Sequence, residues 1–459
     1  MEERTITDQY HARRAIEALR AGVPNRDAVS ALGSTAPEIE DRFQHLLESV
    51  QEQAPEVTGP SGFLLAGNFG VGKSHLLESL QHRALAQGYV TSKVVISKET
   101  PLYDPIKLFW AAIGAAMIPG RRGAAVPLIA EVLQPREQAF LDLYTWVQQA
   151  RPETLNQRFA ASLNLFEHAR HHDPETFERI LAFWAGDPIQ IGDLKRALRE
   201  RGERATYLFD RIDPRGLAFQ RFRFAAQLML AAGHKGWVLL VDEVELIGRY
   251  SLVQRGRSYA ELARWTGGIK GEAYPGLISV FAITSDFEAA LLEGRRDREN
   301  VPNKLRASPR EVERELAPHA ERGMRLIGRP LRIPAPNRNT VRRTYEQVRV
   351  LHGTAYDWEP PAVGSAPFAT STSMREYIRW WITEWDLKRL FPDYQPEIEA
   401  TPLTIDYSED ADLDSADETN ANGDGRTYPG DEMPLEDPWT ASAADPQAGA
   451  RSGTTPRQE

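Results

Sequence analysis

Short apolar runs recur along the chain, each bounded by glycine, proline or polar residues. Five of them read as buried strands and cover residues 62–66, 90–97, 237–241, 277–284 and 330–333. Segments with apolar residues at helical spacing separate the runs, beginning with residues 73–87. Strands that alternate with helices usually pair in parallel through right-handed crossovers. The pattern therefore predicts an α/β fold with a parallel sheet of about five strands flanked by helices.

Apolar residues at helical spacing also occur throughout three longer parts of the chain. The clearest helices there are predicted at residues 9–23, 34–50, 106–117, 136–149, 174–185, 216–232, 339–351 and 373–391. These boundaries predict six parts: N-terminal helices (1–58), the first part of the core (59–105), a large helical insertion (106–234), the second part of the core (235–336), a C-terminal helical segment (337–398) and a tail (399–459).

A glycine-rich loop follows the first predicted strand and matches the G-x-x-x-x-G-K-[ST] pattern of a P-loop, or Walker A motif. Its residues are Gly67, Asn68, Phe69, Gly70, Val71, Gly72, Lys73 and Ser74, and His75 follows in the next helix. The glycines let backbone N–H groups turn toward phosphate oxygens at the positive end of that helix. We expect Lys73 to reach the β- and γ-phosphates of ATP and the Ser74 hydroxyl to bind Mg²⁺.

Two carboxylates end the third predicted strand, as in a Walker B motif. Asp242 is expected to bind Mg²⁺, and Glu243 to orient and deprotonate the attacking water. A glutamate directly after the aspartate favours hydrolysis over a simple nucleotide switch. The alternative is that the acids only cap a buried strand.

Polar side chains after the fourth strand and arginines elsewhere are candidates to complete the site. Thr284 lies where AAA+ proteins place their first sensor, although it could instead cap the next helix. Arg375, at the start of the last helix, lies where a second sensor would contact nucleotide. Candidates for an arginine acting from a neighbouring subunit are Arg249, Arg255, Arg257, Arg295, Arg296 and Arg298.

The net charge is informative only when the last 59 residues, 401–459, are counted separately from the rest of the chain. The chain has 459 residues and a net charge of −10, but residues 401–459 alone carry −11, so the rest is close to neutral. Such an acidic, apolar-poor end is typical of a solvated disordered tail, or less often of a partner-binding or DNA-mimicking segment. An arginine-rich run from 322 to 349 could bind DNA phosphates or be a solvated face.

The chain has no cysteine, which excludes disulfides, thiolate metal sites and a cysteine nucleophile. Its longest apolar run, residues 108–118, is about half of the roughly 20 residues that a membrane helix needs. The start of the sequence lacks the pattern of a signal peptide. We therefore expect a cytoplasmic protein without membrane partners.

Four stretches resemble the BrxD family, the ATP-binding proteins of bacterial phage-exclusion (BREX) defence systems. They are residues 12–24, 95–105, 243–250 and 374–379, and the resemblance extends over about residues 8–395. It implies an AAA+-like P-loop ATPase, related in form to origin-recognition and helicase-loading ATPases, that acts on DNA with a partner helicase in anti-phage defence. The acidic tail has no counterpart in this resemblance.

Two functions remain open from the sequence. The first is an ATP-hydrolysing BREX component that uses ATP and Mg²⁺ to remodel double-stranded DNA or to load a helicase, with homo-oligomerisation as an option. The second is a nucleotide-gated scaffold in which hydrolysis is slow or incidental. A signalling ATPase that senses a phage product ranks last, because the sequence shows no long repeat or effector domain.

Overall fold

One six-stranded sheet lies at the centre of the protein. The computed structural model describes residues 2–52, 61–203, 207–269, 272–363, 373–393 and 407–408. Its strands are β1 Gly62–Gly67, β2 Val90–Val95, β3 Ala116–Met117, β4 Trp237–Asp242, β5 Leu277–Thr284 and β6 Leu331–Arg332. The strand order is β3-β2-β4-β5-β1-β6, and all neighbours are parallel except β2 and β3.

The prediction of a mostly parallel sheet flanked by helices is confirmed. The five predicted strands correspond to β1, β2, β4, β5 and β6, while β3 was missed. Strand β3 is only two residues long and antiparallel to β2, too short to show a period in the sequence. It falls at the end of the helix predicted for residues 106–117, so the stretch between β2 and β4 is not entirely helical.

Helices cover both faces of this sheet and extend beyond it. They are α1 Glu2–Ala21, α2 Arg26–Leu32, α3 Pro37–Glu52, α4 Lys73–Ala86, α5 Pro105–Gly114, α6 Ala125–Val132, α7 Gln138–Gln149, α8 Gln157–His172, α9 Pro174–Ala185, α10 Ile191–Glu200, α11 Pro214–Ala231, α12 Leu252–Trp265, α13 Asp297–Arg306, α14 Glu311–Ile327, α15 Arg338–Tyr356 and α16 Met374–Leu390. A 3₁₀ helix, Val244–Arg249, follows β4, and a π-helix, Glu288–Gly294, follows β5.

Alternating residues of the central strands belong to two different hydrophobic clusters. Leu64 of β1 packs on the face covered by the helices between β2 and β4, whereas Leu65 packs on the face covered by α3 and α4. In β4, Leu239 and Leu240 divide in the same way. Since β4 and β5 are buried at every position, their sequences are continuous apolar runs rather than alternating ones.

A third hydrophobic cluster joins the two ends of the described chain. Helices α1 and α2 pack with α15 and α16 around Trp381 and Trp385. An ion pair and a hydrogen bond add to this contact: Arg20 lies 2.6 Å from Asp386, and Nε2 of His352 donates to the other Asp386 oxygen at 3.1 Å. The first and last helices therefore form one packed unit next to the sheet.

The predicted acidic tail, residues 399–459, lies outside the described residues except for Tyr407 and Ser408. A search of the helices in the described ranges found none that is long and apolar enough to cross a membrane.

Candidate functional site

The glycine-rich loop, residues 67–74, connects β1 to α4. Gly70 and Gly72 have φ values of +73° and +111°, a backbone region that side chains with a Cβ rarely adopt. Gly67 is tightly enclosed, because an added Cβ would lie 2.6 Å from Cγ1 of Val71. Asn68 and Phe69 are exposed at the tip of the loop. The glycines are thus required by the backbone path and not only by the motif.

The first turn of α4 has the properties of an anion site. Gly72 precedes the helix and makes no side-chain hydrogen bond to its N–H groups. Uncapped N–H groups and the helix dipole favour a negatively charged ligand at such an end. Ser74 lies in this first turn and is half-buried at the edge of a cavity.

Lys73 is buried at the base of the loop, with a side chain only 8% exposed. Its Nζ donates a hydrogen bond to the Gly67 carbonyl at 3.2 Å and lies 3.7 Å from Oε1 of Glu245. The loop therefore holds a buried cation whose carboxylate partner comes from the 3₁₀ helix after β4.

Glu245 was not singled out from the sequence. Its Oε2 is buried and has no hydrogen-bond partner among the described residues. Burial raises the pKa of Glu245 to about 7, although the charge of Lys73 acts in the opposite direction. The signal that could have found it is its position three residues after Asp242, on the short helix that follows the strand-end acids. A half-satisfied buried carboxylate beside the loop lysine is a feature of a site that binds further charged groups.

Asp242 and Glu243 differ strongly in environment. Asp242 ends β4 and is 5% exposed, whereas the Glu243 side chain is exposed. Glu243 has φ of +56°, an unfavourable value for a residue with a side chain. Partial desolvation of the carboxyl group and the charge of Asp242 raise the pKa of Glu243, while Lys73 and Arg375 act against this shift. The backbone thus directs Glu243 outward and Asp242 inward at the end of one strand.

Thr284 lies directly beside the glycine-rich loop. It ends β5 and pairs in register with Gly67, the last residue of β1, and the next residue, Ser285, donates its N–H to the Gly67 carbonyl at 3.3 Å. Thr284 is buried, and its hydroxyl lies 2.7 Å from the hydroxyl of Tyr407. Tyr407 belongs to the predicted tail and was not anticipated at this position.

The N-terminus of α16 contacts the tip of the loop. The Arg375 N–H donates to the Gly70 carbonyl at 3.1 Å, and the guanidinium lies 5.1 Å from the centre of the Phe69 ring. An added Cβ at Gly70 would lie 2.6 Å from Cβ of Ser373, so the loop and α16 are in close contact. The sequence prediction placed Arg375 near nucleotide, and the structure brings it to the loop.

His75 links the loop helix to the N-terminal helices. Its Nε2 hydrogen-bonds the Gly33 carbonyl at 2.8 Å, just after α2. Burial lowers the pKa of His75, although the Gly33 carbonyl favours the charged form. His75 therefore has a structural contact here, in addition to its position beside Ser74.

A cavity of about 110 Å³ lies between the loop, the N-terminal helices and α16. Apolar side chains from α1 and α16, among them Leu19, Met374 and Ile378, form much of its wall. The cavity also touches Gly72, Ser74 and Arg375. An apolar pocket next to an anion site is the environment that a ring system attached to phosphates requires. Sequence reasoning missed it because its walls come from both ends of the chain.

The arginine candidates are not equivalent. Arg255 is buried and makes two hydrogen bonds to Asp297, from Nε at 2.8 Å and from Nη2 at 3.0 Å. It is therefore an internal structural residue and not a group that reaches a neighbouring subunit. Three of the other candidates pair with a nearby acid: Arg257 with Glu313, Arg296 with Glu299 and Arg298 with Glu288.

These observations together define a class of protein. A mostly parallel sheet with a glycine-rich loop, an uncapped helix N-terminus and strand-end carboxylates at one edge fits an ATP-binding α/β protein. The family model described as "BREX system ATP-binding protein BrxC/D" matches residues 8–113 and 147–315. The chain belongs to this BrxC/D family, which confirms the resemblance seen in the sequence. Comparisons with curated proteins and with solved structures gave no match.

Proposed function

We propose that this chain binds Mg·ATP at residues 67–74 and hydrolyses it as an AAA+-like P-loop ATPase of a BREX defence system. One observation carries the proposal. Strands β4, β5 and β1 are adjacent and parallel, so the strand-end acids, Thr284 and the glycine-rich loop all lie at the same edge of the sheet. Because the chain belongs to a family of ATP-binding proteins, ATP is the nucleotide that we expect at this site.

The residues at this edge would have different roles in phosphoryl transfer. Backbone N–H groups of the loop and Lys73 bind the phosphates, and Glu245 holds Lys73 in the free protein. Ser74 and Asp242 would hold Mg²⁺, which neutralises phosphate charge when bound. The environment of Glu243 raises its pKa, which makes it a better base for the attacking water. Thr284 and Arg375 would contact the γ-phosphate, which is transferred to water while ADP leaves.

The apolar cavity provides the position for the base of the nucleotide. It continues from Gly72 and Ser74 to Leu19 and Ile378, so a nucleotide on the loop would contact both terminal helix groups. Bound ATP would then add contacts to α1, α16 and the loop, which already touch one another. This arrangement also favours the second candidate, a scaffold whose assembly depends on ATP occupancy while hydrolysis is slow.

A measurement of ATP turnover distinguishes the ATP hydrolase from the scaffold. We expect the purified wild-type chain to hydrolyse ATP, Lys73→Ala to lose binding and turnover, and Glu243→Gln to bind ATP but to be slower by about 10²- to 10⁴-fold. Glu311→Gln, an exposed glutamate on α14, is the matched control and should behave as wild type. ATP binding without measurable turnover in wild type would contradict the hydrolase and favour the scaffold.

We also propose that the chain acts on double-stranded DNA, or with a helicase partner and other BREX components, in the cytoplasm and as a homo-oligomer. Seven arginines of the basic run are exposed: Arg322, Arg325, Arg329, Arg332, Arg338, Arg342 and Arg343. Arg349, by contrast, donates to the Pro360 carbonyl at 2.8 Å and serves the fold. If the exposed arginines bind DNA phosphates, DNA should stimulate turnover, and the stimulation should fall steeply with added salt.

We further propose the six-part division of the chain given by the sequence, with residues 106–234 as a mostly helical insertion that packs on one face of the sheet and adds β3 to its edge.

A further inference from the structure

Tyr407 occupies a defined position on the body of the protein. Its ring meets Phe287 edge-on, with centroids 5.9 Å apart and planes at 85°, and lies against Gly248. An added Cβ at Gly248 would come within 2.8 Å of Cδ1 of the Tyr407 ring. The glycine therefore leaves the space that the ring fills. A tyrosine from a strongly acidic segment thus fits closely between the segments that follow β4 and β5.

The hydroxyl of Tyr407 connects two polar groups at the end of β5. It lies 2.7 Å from Oγ1 of Thr284 and 3.3 Å from both carboxylate oxygens of Asp286. A carboxylate only accepts hydrogen bonds, so the single phenol proton points toward Asp286. The phenol oxygen must then accept from Thr284. Burial raises the pKa of the Tyr407 phenol, which keeps this proton in place.

This arrangement uses the only proton of the Thr284 hydroxyl. A threonine hydroxyl has one O–H to donate, and here it is directed to Tyr407 rather than toward the loop at Gly67. A phosphate oxygen is an acceptor, so Thr284 can bind it only by donating the same proton. A phosphate that accepts from Thr284 therefore costs docked Tyr407 one hydrogen bond, because the phenol either loses the Thr284 donor or turns its own proton from Asp286 to Thr284.

Tyr407 also holds an arginine near the site. Arg295 donates through one amino group to the Tyr407 carbonyl and through the other to the Gly248 carbonyl, the latter at 3.1 Å. Arg295 is one of the arginines that could stabilise charge from a neighbouring subunit. While the segment is docked, both of these donors face carbonyls of its own chain.

We propose that Tyr407 is a positioning residue that, while docked, inhibits the nucleotide site by engaging Thr284 and Arg295 of its own chain. The inference rests on the proposed ATPase function and adds its regulation. ATP whose phosphate accepts the Thr284 hydrogen bond must weaken Tyr407 docking as much as docking weakens ATP binding, because binding free energies are reciprocal. ADP, which lacks the γ-phosphate, should weaken docking less.

Turnover of matched variants tests the contact. Tyr407→Phe keeps the ring and removes the hydroxyl, so turnover should rise about 3- to 10-fold, the equivalent of one hydrogen bond. Tyr407→Ala should give at least the same increase. Tyr428→Phe, another tail tyrosine that lies outside the described residues, is the control and should equal wild type. Unchanged or slower turnover in Tyr407→Phe would overturn the proposal.

A double variant shows whether the effect passes through Thr284. Thr284→Val removes the shared proton and should lower turnover, and adding Tyr407→Phe to it should then change nothing. A gain that persists in the Thr284→Val background would show that Tyr407 acts otherwise and would overturn the proposal.

Docking itself can be measured without turnover, which separates this inference from the ATPase proposal. The chain has no cysteine, so Ser408→Cys, an exposed position, gives a single site for a nitroxide spin label. The label should be immobile in the free protein, mobile in the Tyr407→Ala background, and mobilised more by a non-hydrolysable ATP analogue with Mg²⁺ than by ADP. A label that is equally mobile with and without Tyr407, or that no nucleotide affects, would overturn the proposal even if turnover were absent.

Discussion

Two residues from the C-terminal part of the chain reach the proposed nucleotide site at different points. Arg375 contacts the tip of the glycine-rich loop from α16, and Tyr407 contacts Thr284 at the end of the neighbouring strand. Both lie beyond residue 315, where the match to the family model ends. Arg375 adds positive charge beside Glu243, whereas Tyr407 engages a hydrogen-bond donor. In the proposed function, the same part of the chain thus offers one contact that would support phosphate binding and one that would oppose it.

Removing the contact that Arg375 makes with the loop should have the largest effect. Arg375→Ala should lower ATP turnover about 10- to 100-fold, because a charge-assisted hydrogen bond contributes about 1.5–3 kcal/mol. Arg379→Ala is the matched control, since Arg379 is exposed one turn later on the same helix. Steady-state kinetics on both variants measure the effect. Equal turnover in the two variants would remove Arg375 from the site.

A second variant separates the loop from α16 without touching a charged residue. Gly70→Ala introduces a Cβ that would lie 2.6 Å from Ser373 Cβ, at a backbone φ of +73°. Gly120→Ala has nearly the same φ, +71°, but nothing within 4 Å of its new Cβ. Both should lose about 1–2 kcal/mol of stability from the backbone, while only Gly70→Ala should also weaken ATP binding, as measured by titration calorimetry. Equal ATP affinity in both variants would show that the loop–α16 contact is unimportant.

A third, smaller effect concerns the packing that holds α16 in place. Burial alone would raise the pKa of Asp386, but its hydrogen bond to His352 and the charge and hydrogen bond of Arg20 outweigh this and lower it. A lowered pKa means that the carboxylate stabilises the fold above its unfolded pKa, near 3.8, and that this stability is lost as the pH falls through the folded value.

Asp386→Asn should therefore cost about 1–3 kcal/mol at pH 7, and the difference from wild type should shrink below about pH 4. Hydrogen exchange of α16 amides measures this local stability at each pH. A penalty that stays constant down to acid pH would show that the charge of Asp386 is not its cause.

A contact could be predicted from the sequence where local signals mark it, and not where it depends on residues far apart in the chain. Helix α16 has a capping box, in which Ser373 and Glu376 bond each other's backbone, and apolar residues at helical spacing. Local signals of that kind made both the helix and Arg375 predictable. Tyr407 is a single aromatic residue in an acidic stretch without a period. Its position depends on Gly248 and Phe287, more than a hundred residues away, so no local pattern reveals it.

The same distinction applies to the rest of the site. The glycine-rich loop, the strand-end acids and Thr284 lie at the ends of continuous apolar strands, and parallel pairing places such ends together. Glu245 was identified from its contact with Lys73, although its position three residues after Asp242 is a sequence signal that could have indicated it. The cavity required the packing of α1 against α16, the first and last helices that the structure describes. Short elements such as α2 and β3 were missed because they contain too few residues to show a period.

The account depends most directly on ATP binding at the glycine-rich loop. Titration calorimetry with ATP and Mg²⁺ on wild type and Lys73→Ala measures it, with circular dichroism to confirm that both are folded. We expect one ATP per wild-type chain and binding weakened at least 100-fold in Lys73→Ala. Equal ATP affinity in the two folded proteins would contradict the account, because the nucleotide would then bind elsewhere.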